Sequence, residues 1–302
     1  MGRVVVVGDA LIDELRDDGG RREFVGGAAL NVAVGLSRLG VPSTLVAMVG
    51  DDEDGARVRA YLADFGVELI ATPSPHGTAR ATSVRTGGGE PTYVFNAASQ
   101  RRRIRFGARE AEAFAEAPIV VVSCMALDDE EQVAEFEAAL AGARLAIDPN
   151  PRTGMMHDAG RFAAAFERLA RRSALVKVGD DDARLLYQDS IDALRERVVG
   201  WGALAVLAMA GGAGASLESG DVVVRRPISQ LPGRIVDTMG AGDAAFAAVI
   251  AGLIDDVPRG SAEWDALLGE AMDAAAATCR FEGALLRLPS ALADLDLDRI
   301  GT

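Results

Sequence analysis

A glycine-rich turn near residue 240 places a carboxylate beside backbone N–H groups that could bind an anion. The turn is Asp237-Thr238-Met239-Gly240-Ala241-Gly242-Asp243, and the apolar stretch 244–254 that follows is typical of a helix. The first turn of a helix has unpaired N–H groups and the positive end of the helix dipole, so it can stabilise a phosphoryl group in transfer. Asp243 could take the proton from an attacking hydroxyl. These residues alone are equally compatible with an aspartate that only stabilises the start of a helix.

Other common nucleotide-binding signatures are missing from the sequence. A P-loop needs a lysine within Gly-Lys-Ser/Thr, and the only lysine, Lys177, lies between two valines. Neither the His-Arg-Asp nor the Asp-Phe-Gly segment of protein kinases occurs. Residues 240–245 match the dinucleotide pattern G-x-G-x-x-A, but no apolar strand leads into them and Asp243 would meet the pyrophosphate. We therefore expect neither a Walker-type NTPase, nor a protein kinase, nor a hydride-transfer enzyme.

Composition restricts the partners of the chain. A net charge of −14 argues against a nucleic-acid partner; we assign the local exception, Arg101-Arg102-Arg103, to a solvated loop, with an anion contact as the alternative. Two cysteines and two histidines predict buried thiols and argue against a zinc site or a His-based triad. The longest apolar run, Ala244–Ile254, is shorter than the roughly 20 residues of a membrane span, and no signal peptide opens the chain. We expect a soluble, cytoplasmic protein with no membrane partner.

Alternating strand-like and helix-like segments must position these residues. Short β-branched runs predict strands at 4–7, 44–49, 119–123, 145–147, 175–178 and 203–209. Helical spacing predicts helices at 28–39, 54–65, 129–140, 161–171, 180–187 and 191–199, and a loop after 224 that leads into mostly helix up to about 281. Apolar strands that alternate with amphipathic helices favour a parallel sheet covered on both faces.

Two polar segments interrupt the alternation. Residues 11–25 are Gly-rich where the first strand–helix connection should be short. Thr82–Thr86 and Pro91–Phe95 flank Gly87-Gly88-Gly89-Glu90, which predicts a β-hairpin. The hairpin is either an ordinary surface feature or a lid over a substrate cleft, and the residues alone do not decide between the two.

Two separated segments resemble the signatures of the ribokinase-like (PfkB) family of carbohydrate kinases. The first is Gly26-Gly27-Ala28-Ala29-Leu30-Asn31-Val32-Ala33, which ends in Arg38-Leu39-Gly40. The second is the turn that ends at Asp243, together with Ala244-Ala245-Phe246. Weaker similarities extend the resemblance to nearly the whole chain, and include Gly8–Asp13, Val49–Asp52, Asp148–Asn150, Gly211–Gly214 and Arg280–Ala284.

The resemblance implies an α/β fold with three layers, α/β/α. Its central sheet would be mostly parallel and would carry a small β-strand lid formed by about 11–25 and 78–106, within a single domain over residues 1–302. It also implies transfer of the γ-phosphoryl group of ATP, accompanied by Mg²⁺, to a hydroxyl of a small-molecule sugar. A homodimer through the lid is a compatible expectation.

The resemblance also implies roles for single residues. Asp243 would be the base, and the backbone of Gly240, Ala241, Gly242 and Asp243 would form the anion hole. The implied sugar-binding residues are Asp13, Gly26, Gly27, Asn31 and Asn150. The residues implied to lie beside the nucleotide are Lys177, Gly179, Gly211, Gly212, Gly214 and Gly242. Asp182 would bind Mg²⁺, and Asp237 a monovalent cation such as K⁺. Each of three residues also has a purely structural alternative. Asp13 could be a capping aspartate in a loop, Gly27 could be small to allow close packing, and Asn31 could be a helix residue whose amide only makes structural hydrogen bonds.

Departures from the family pattern bear on metal handling and on the substrate. Gly179 and Asp182 stand where Asn or Ser and then Glu are usual, and Met209 stands where Thr is frequent. Residues 8–13, 31–36 and 176–187 look most similar to bacterial fructokinases, which implies conversion of D-fructose to fructose 6-phosphate. Residues 96–100 lack the Tyr-Arg pair often found there, so ribose and 2-keto-3-deoxygluconate remain alternatives. A sugar-binding sensor with weak or no transfer is the alternative from another class.

Overall fold

The computed structural model describes residues 2–17, 19–84, 92–254 and 256–293, and within them thirteen strands form two sheets. In chain order they are β1 (Val4–Gly8), β2 (Leu11–Asp17), β3 (Gly20–Gly26), β4 (Ser43–Val49), β5 (Glu68–Pro73), β6 (Ala79–Val84), β7 (Thr92–Phe95), β8 (Val120–Ser123), β9 (Leu145–Asp148), β10 (Ser173–Gly179), β11 (Val206–Met209), β12 (Ala215–Ser219) and β13 (Val222–Arg226). The larger sheet has the order β13-β12-β11-β10-β9-β8-β1-β4-β5, and the smaller sheet has the order β3-β2-β6-β7.

The larger sheet is mostly parallel because helices cover both of its faces. The seven strands from β11 to β5 pair in parallel, and β12 and β13 add two antiparallel pairings at one edge. Side chains alternate between the two cores along β1, so that Val4 and Val6 pack on one side and Val5 and Val7 on the other. The predicted three-layer α/β/α fold is confirmed.

Ten helices lie in the described part of the chain. They are α1 (Ala28–Arg38), α2 (Glu53–Asp64), α3 (Ala97–Gln100), α4 (Ala108–Glu116), α5 (Glu130–Leu140), α6 (Ala159–Ala170), α7 (Asp180–Asp182), α8 (Ile191–Trp201), α9 (Ala241–Leu253) and α10 (Ser261–Thr278). Helix α7 continues into a π-helical turn, Ala183–Tyr187, and 3₁₀ turns occur at Gly211–Ala213 and Pro289–Leu292. One core layer contains α1, α9 and α10, and the other contains α5, α6 and α8.

Helix α9 is apolar on nearly all sides because it packs between α1 and α10 as well as against the sheet. Phe246 and Ile250 are fully buried there. This packing accounts for the apolar run that the sequence places after residue 243. Among the residues that the structure describes, no helix has both the length and the hydrophobicity that crossing a bilayer requires.

The strands and helices predicted between residues 4 and 209 are all present, with ends displaced by at most three residues. The antiparallel edge formed by β12 and β13 was not predicted; β13 is largely exposed and follows β12 through a tight turn at the edge of the sheet. The two cysteines, Cys124 and Cys279, are buried free thiols as expected.

The smaller sheet contains both segments that interrupt the alternation. Strands β6 and β7 form the predicted antiparallel hairpin, in which Val84 lies opposite Thr92; its turn, 87–90, lies outside the described residues. Residues 11–25, which the family resemblance implied to be part of a small β-strand lid, are mostly the antiparallel pair β2 and β3. Their polar residues show no strand pattern in the sequence, and several of these side chains pair with one another in the folded protein.

A cluster of charged residues ties the smaller sheet to helix α2. The guanidinium of Arg80 on β6 contacts Glu14 on β2 at 3.1 Å, Glu23 on β3 at 3.0 Å and Asp54 on α2 at 2.5 Å. Arg57 on α2 also forms an ion pair with Glu23 at 2.8 Å. The hydrogen bonds from Arg80, Arg57 and Arg21 lower the pKa of Glu23 to about 2. Only 3% of Glu14 is exposed, and its carboxylate contacts Arg80 at 3.1 Å and Arg21 at 2.9 Å.

We expect the substitution Arg80→Met to destabilise the protein by about 1–2 kcal/mol, because it removes one cation that bridges three carboxylates on two parts of the fold. The matched control is Arg109→Met, since Arg109 lies 3.6 Å from Glu68 with both side chains more than half exposed. That exposed pair should contribute at most about 0.5 kcal/mol. Urea unfolding measures both variants, and equal effects would contradict a structural role for the Arg80 cluster.

Candidate active site

The candidate site lies at the carboxyl ends of the central parallel strands, where open α/β sheets bind their ligands. Strands β1, β8, β9, β10 and β11 all end at this edge of the sheet, because they are parallel neighbours. Residues that are far apart in sequence therefore meet here, and the smaller sheet follows directly after the end of β1.

The glycine turn before α9 opens toward this edge. Gly240 is the N-cap of α9 and has φ +76°, a backbone conformation that glycine adopts without strain. A Cβ at Gly240 would lie 2.6 Å from the Cα of Ala284, so a side chain there is also sterically excluded. The first intrahelical bond of α9 runs from the N–H of Ala244 to the carbonyl of Gly240 at 2.8 Å. The N–H groups of Gly242 and Asp243 therefore lie before the first hydrogen bond within the helix. The N–H group of Ala241 contacts the carbonyl of Thr238 at 3.4 Å.

Asp237 fixes the start of this turn. One of its carboxylate oxygens accepts a hydrogen bond from the backbone N–H of Met239 at 3.0 Å, and the other accepts one from Gly283 at 3.1 Å. Both oxygens are thus engaged, one within the turn and the other with the segment after α10. A monovalent cation at Asp237 stays a prediction.

Asp243 lies at the point where the two helices α1 and α9 begin. The side-chain amide of Asn31 on α1 donates a hydrogen bond to the Oδ2 of Asp243 at 2.8 Å. Desolvation raises the pKa of Asp243 to about 6, although the charge of Lys177 and the Asn31 hydrogen bond both act to lower it. A carboxylate with this pKa is mostly ionised at neutral pH, and it is more basic than an ordinary aspartate.

Lys177 approaches the same helix start from strand β10. Its Nζ forms a buried ion pair with the Oδ2 of Asp148 at 2.8 Å, at the end of the neighbouring strand β9. A Cβ at Gly242 would lie 3.1 Å from the Cε and 3.4 Å from the Nζ of Lys177, so a glycine is needed for this close approach. Desolvation would lower the pKa of Lys177, but the surrounding carboxylates, Asp148 first, raise it. The lysine therefore stays charged beside the first turn of α9.

The residues predicted to bind a sugar meet between β2 and α1. The carboxylate of Asp13 occupies the space where a Gly26 side chain would be, with Oδ2 2.2 Å from the ideal Cβ position. Gly27 has φ +109°, and a Cβ there would lie 2.8 Å from the carbonyl oxygen of Asp9. Burial raises the pKa of Asp13 to about 7; the carboxylates of Asp9 and Asp243 raise it further, and Arg152 opposes them.

The residues predicted to lie beside a nucleotide follow strands β10 and β11. Gly211 (φ +49°) and Gly214 (φ +96°) delimit a 3₁₀ turn after β11, and no atom lies within 4 Å of a Cβ placed on Gly212. Gly179 ends β10 and donates its backbone N–H to Asp182 at 2.6 Å. The open face of this turn leaves room for a ligand, whose identity stays a prediction.

The predicted magnesium ligand, Asp182, points inward. It is 4% exposed, and burial and the charge of Asp148 raise its pKa to about 7, although Lys177 and the Gly179 hydrogen bond lower it. Within the described ranges no group of three or more His, Cys, Asp or Glu side chains could hold a metal ion. The site therefore fits a Mg²⁺ ion only in the manner of kinase sites, where one or two carboxylates share the ion with phosphate oxygens.

Two functional candidates were missed from the sequence: Asp9 and Asp148. Asp9 follows β1 and accepts a hydrogen bond from the N–H of Ala29 at 3.0 Å, and its pKa is raised by burial. The position of Asp9 and Asp148 at strand ends is the signal that could have found them. Arg102 donates to the carbonyl of Met155 at 2.8 Å, so the solvated-loop prediction was wrong for this arginine, whereas Arg103 pairs with the exposed Glu131 at 2.7 Å.

Comparison with known proteins agrees with this fold. The model of the pfkB family carbohydrate kinase matches residues 1–291. The chain is 30% identical to a fructokinase of Rhizobium leguminosarum bv. trifolii over 265 residues, which cover 83% of this chain and 79% of the relative. It is 28% identical to a fructokinase of Klebsiella pneumoniae over 302 residues, which cover 95% of this chain and 96% of the relative. Among solved structures, the fructokinase with bound ATP from Xylella fastidiosa has a TM-score of 0.78 at 21% identity and covers 98% of both chains.

We expect Gly240→Ala to lower the free energy of unfolding by at least about 2 kcal/mol more than Gly40→Ala. Both glycines have a positive φ, +76° and +80°, but a Cβ at Gly40 meets no atom within 4 Å, whereas one at Gly240 collides with Ala284. The difference between the two variants isolates the collision from the backbone strain, and chemical denaturation measures it. Equal losses would contradict the tight packing of this turn.

Proposed function

The chain belongs to the pfkB family of carbohydrate kinases, and we propose that it is a fructokinase that uses ATP to convert D-fructose to fructose 6-phosphate. Its chemistry is therefore the transfer of a phosphoryl group to a sugar hydroxyl. The observation that carries the proposal is the meeting of Asp243 with Asn31 and Asp13 at the open start of α9. The fructokinases among its relatives support fructose as the acceptor.

Asp13, Asn31 and the two glycines before α1 form the proposed sugar pocket. A sugar offers hydroxyl groups that both donate and accept hydrogen bonds, and carboxylate and amide side chains satisfy both needs. The raised pKa of Asp13 reflects burial among other carboxylates, and hydroxyl donors from a bound sugar would stabilise its ionised form. Asn150 follows strand β9 at the same edge and completes the proposed set.

Asp243 is the proposed general base. Its pKa of about 6 keeps the carboxylate ionised at pH 7 and yet basic enough to accept the proton of an attacking hydroxyl. Asn31 orients the carboxylate, because it bonds one oxygen and leaves the other for the hydroxyl. Lys177 limits the rise of the pKa, so most of the Asp243 carboxylate is ionised at neutral pH.

When bound, ATP supplies the phosphoryl group. The N–H groups of Gly242 and Asp243, together with the dipole of α9, are aimed at the negative charge that develops during transfer. We assign the nucleotide to the open turn at Gly211–Gly214, and Mg²⁺ to its phosphates with Asp182 close by. We also propose that the smaller sheet acts as a lid and as a dimer interface, because its edge strand β7 exposes Tyr93 and Val94 by more than half.

Replacing the base should abolish most turnover. We expect Asp243→Asn to lower kcat by roughly 10²-fold or more with little change in KM for the sugar, because the base acts in the transition state. Asp64→Asn, at an exposed position near the end of α2, is the matched control and should keep wild-type turnover. ADP release assayed with fructose, ribose and 2-keto-3-deoxygluconate measures both the turnover of each variant and the preferred sugar. Undiminished turnover in Asp243→Asn would exclude it as the base, and a preference for another sugar would overturn fructose.

The pH profile should report the Asp243 carboxylate. Because only the ionised form can accept a proton, kcat/KM should fall as the pH drops through about 6. Asn31→Asp replaces the hydrogen-bond donor with a second carboxylate 2.8 Å away, and should move this acid limb upward by roughly one pH unit or more. Asn31→Ala removes the hydrogen bond without adding charge and should move the limb less. An identical limb in all three proteins would contradict titration of Asp243.

A further inference from the structure

A fully buried carboxylate, Asp148, lies behind the proposed anion hole and takes no part in the function proposed above. It ends strand β9 and is 0% exposed, so a bound substrate would not contact it. Among the ion pairs between described residues, its partner is Lys177 on the neighbouring strand β10, whose Nζ lies 2.8 Å from Oδ2. Asp148 can therefore influence a reaction only through a neighbour, and its charged neighbour is this lysine.

The register of the two strands directs both side chains toward the layer that contains α9. Val176 on β10 lies opposite Ile147 on β9, and both pack in the core layer of α5, α6 and α8. Lys177 and Asp148 are the next residues along these strands, so their side chains point to the opposite face of the sheet. That face carries α1, α9 and α10. The ion pair is therefore built into the sheet and faces the start of α9.

The ammonium of Lys177 meets α9 at the glycine in its first turn. A Cβ at Gly242 would lie 3.1 Å from the Cε and 3.4 Å from the Nζ of the lysine. The N–H of Gly242 is one of the two that lie before the first hydrogen bond within α9, where an anion is proposed to bind. A cation held here adds its charge to the positive end of the helix dipole. In agreement with this position, the charge of Lys177 lowers the pKa of Asp243, the next residue of the helix.

The type of the cation indicates that the pair serves more than stability. Arginine is the usual cation of a buried ion pair, because its guanidinium is weakly hydrated and can bond both oxygens of a carboxylate. The chain has 31 lysines and arginines, and Lys177 is the only lysine among them. The space beside Gly242 suits the compact ammonium, since one added carbon atom would already crowd the lysine. The position therefore requires a small point charge close to the helix start.

The pairing also leaves Asp148 incompletely satisfied. Its Oδ2 accepts a hydrogen bond from Lys177 and lies 3.4 Å from the Oγ of Ser123. Its Oδ1 is buried and has no hydrogen-bond partner among the described residues. Removing two charges from water costs free energy that only complete hydrogen bonding offsets, so an ion pair of this kind adds little to stability. A buried charge that contributes little to stability indicates a role in the site.

We propose that Asp148 is a positioning residue, which holds the ammonium of Lys177 at the start of α9 so that its charge stabilises the phosphoryl group in transfer. The inference rests on the proposed kinase chemistry. In that step the sugar oxygen bonds to the γ-phosphorus as the bond between that phosphorus and the ADP oxygen breaks, and the hydroxyl proton passes to Asp243. Neither Lys177 nor Asp148 exchanges a proton, since the ammonium acts through its charge.

The test is a double-mutant cycle of Asp148→Asn, Lys177→Met and the two combined, with urea unfolding and with kcat taken from the pH plateau of each protein. Asp148→Asn should lower kcat by about 10-fold or more and Lys177→Met by about 10²-fold, because the ammonium acts in the transition state. The combined variant should match Lys177→Met within about 3-fold, because Asp148 acts only through the lysine. Stability should follow a different pattern. Each single variant leaves a buried charge unpaired, whereas the combined variant removes both charges and should unfold at a higher urea concentration than either.

Glu218→Gln is the matched control, because it breaks a second buried ion pair, that of Glu218 with Arg195. Glu218 lies opposite Val206 at the amino end of β11, on the edge of the sheet away from the site. This variant should lose stability and keep kcat within about 2-fold of wild type. The control thus separates the loss of a buried pair from the loss of the ammonium at the start of α9.

Three results would overturn the inference. A kcat for Asp148→Asn within about 3-fold of wild type would show that the lysine needs no positioning. Recovery of kcat together with stability in the combined variant would make the pair purely structural. A combined loss of kcat equal to the product of the two single losses would show that Asp148 acts independently of Lys177. Failure of the proposed function is distinguishable from all three, because the wild-type protein would then release no ADP with any of the sugars.

Discussion

The hydrogen bond from Asn31 to Asp243 is the interaction on which the site depends, since it joins two residues that are 212 positions apart. It requires α1 and α9 to begin side by side, and both helices pack in the same layer against the sheet. Each helix is preceded by glycines whose conformation or surroundings exclude a side chain, Gly27 before α1 and Gly240 before α9. The residues proposed to bind the sugar and those proposed to act on the phosphoryl group are therefore brought into contact by packing that the core enforces.

Charge is the second constraint on this site. Asp9, Asp13, Asp148, Asp182 and Asp243 lie at one edge of the sheet, and burial raises the pKa of Asp13, Asp182 and Asp243 well above the ordinary aspartate value. Such a concentration of carboxylates would repel a nucleotide unless cations and N–H groups offset it. The only lysine of the chain is directed there, and the first turn of α9 adds its dipole. An acidic protein can thus bind a polyphosphate at one local position.

Much of this arrangement was predictable from the sequence, because apolar runs determine which segments become central strands and covering helices. Asp243, its glycine turn and Asn31, which the structure brings together, were singled out from two short segments that resemble the family's signatures. The pairing of Lys177 with Asp148 was not predictable, since it depends on the order of β9 and β10 in the sheet. Strands β2 and β3 were expected only from the family resemblance, because the polar residues Glu14, Arg21 and Glu23 give no strand pattern by themselves; their ion pairs form only in the folded protein.

The most direct test of the account is a crystal structure of the protein with fructose and a non-hydrolysable ATP analogue. We predict that one fructose hydroxyl lies within hydrogen-bond distance, about 2.6–3.2 Å, of the Asp243 carboxylate. The terminal phosphate of the analogue should then lie on the other side of that hydroxyl, against the backbone N–H groups of Gly242 and Asp243. A complex in which the sugar faces away from Asp243, or in which the terminal phosphate does not approach the start of α9, would contradict the account.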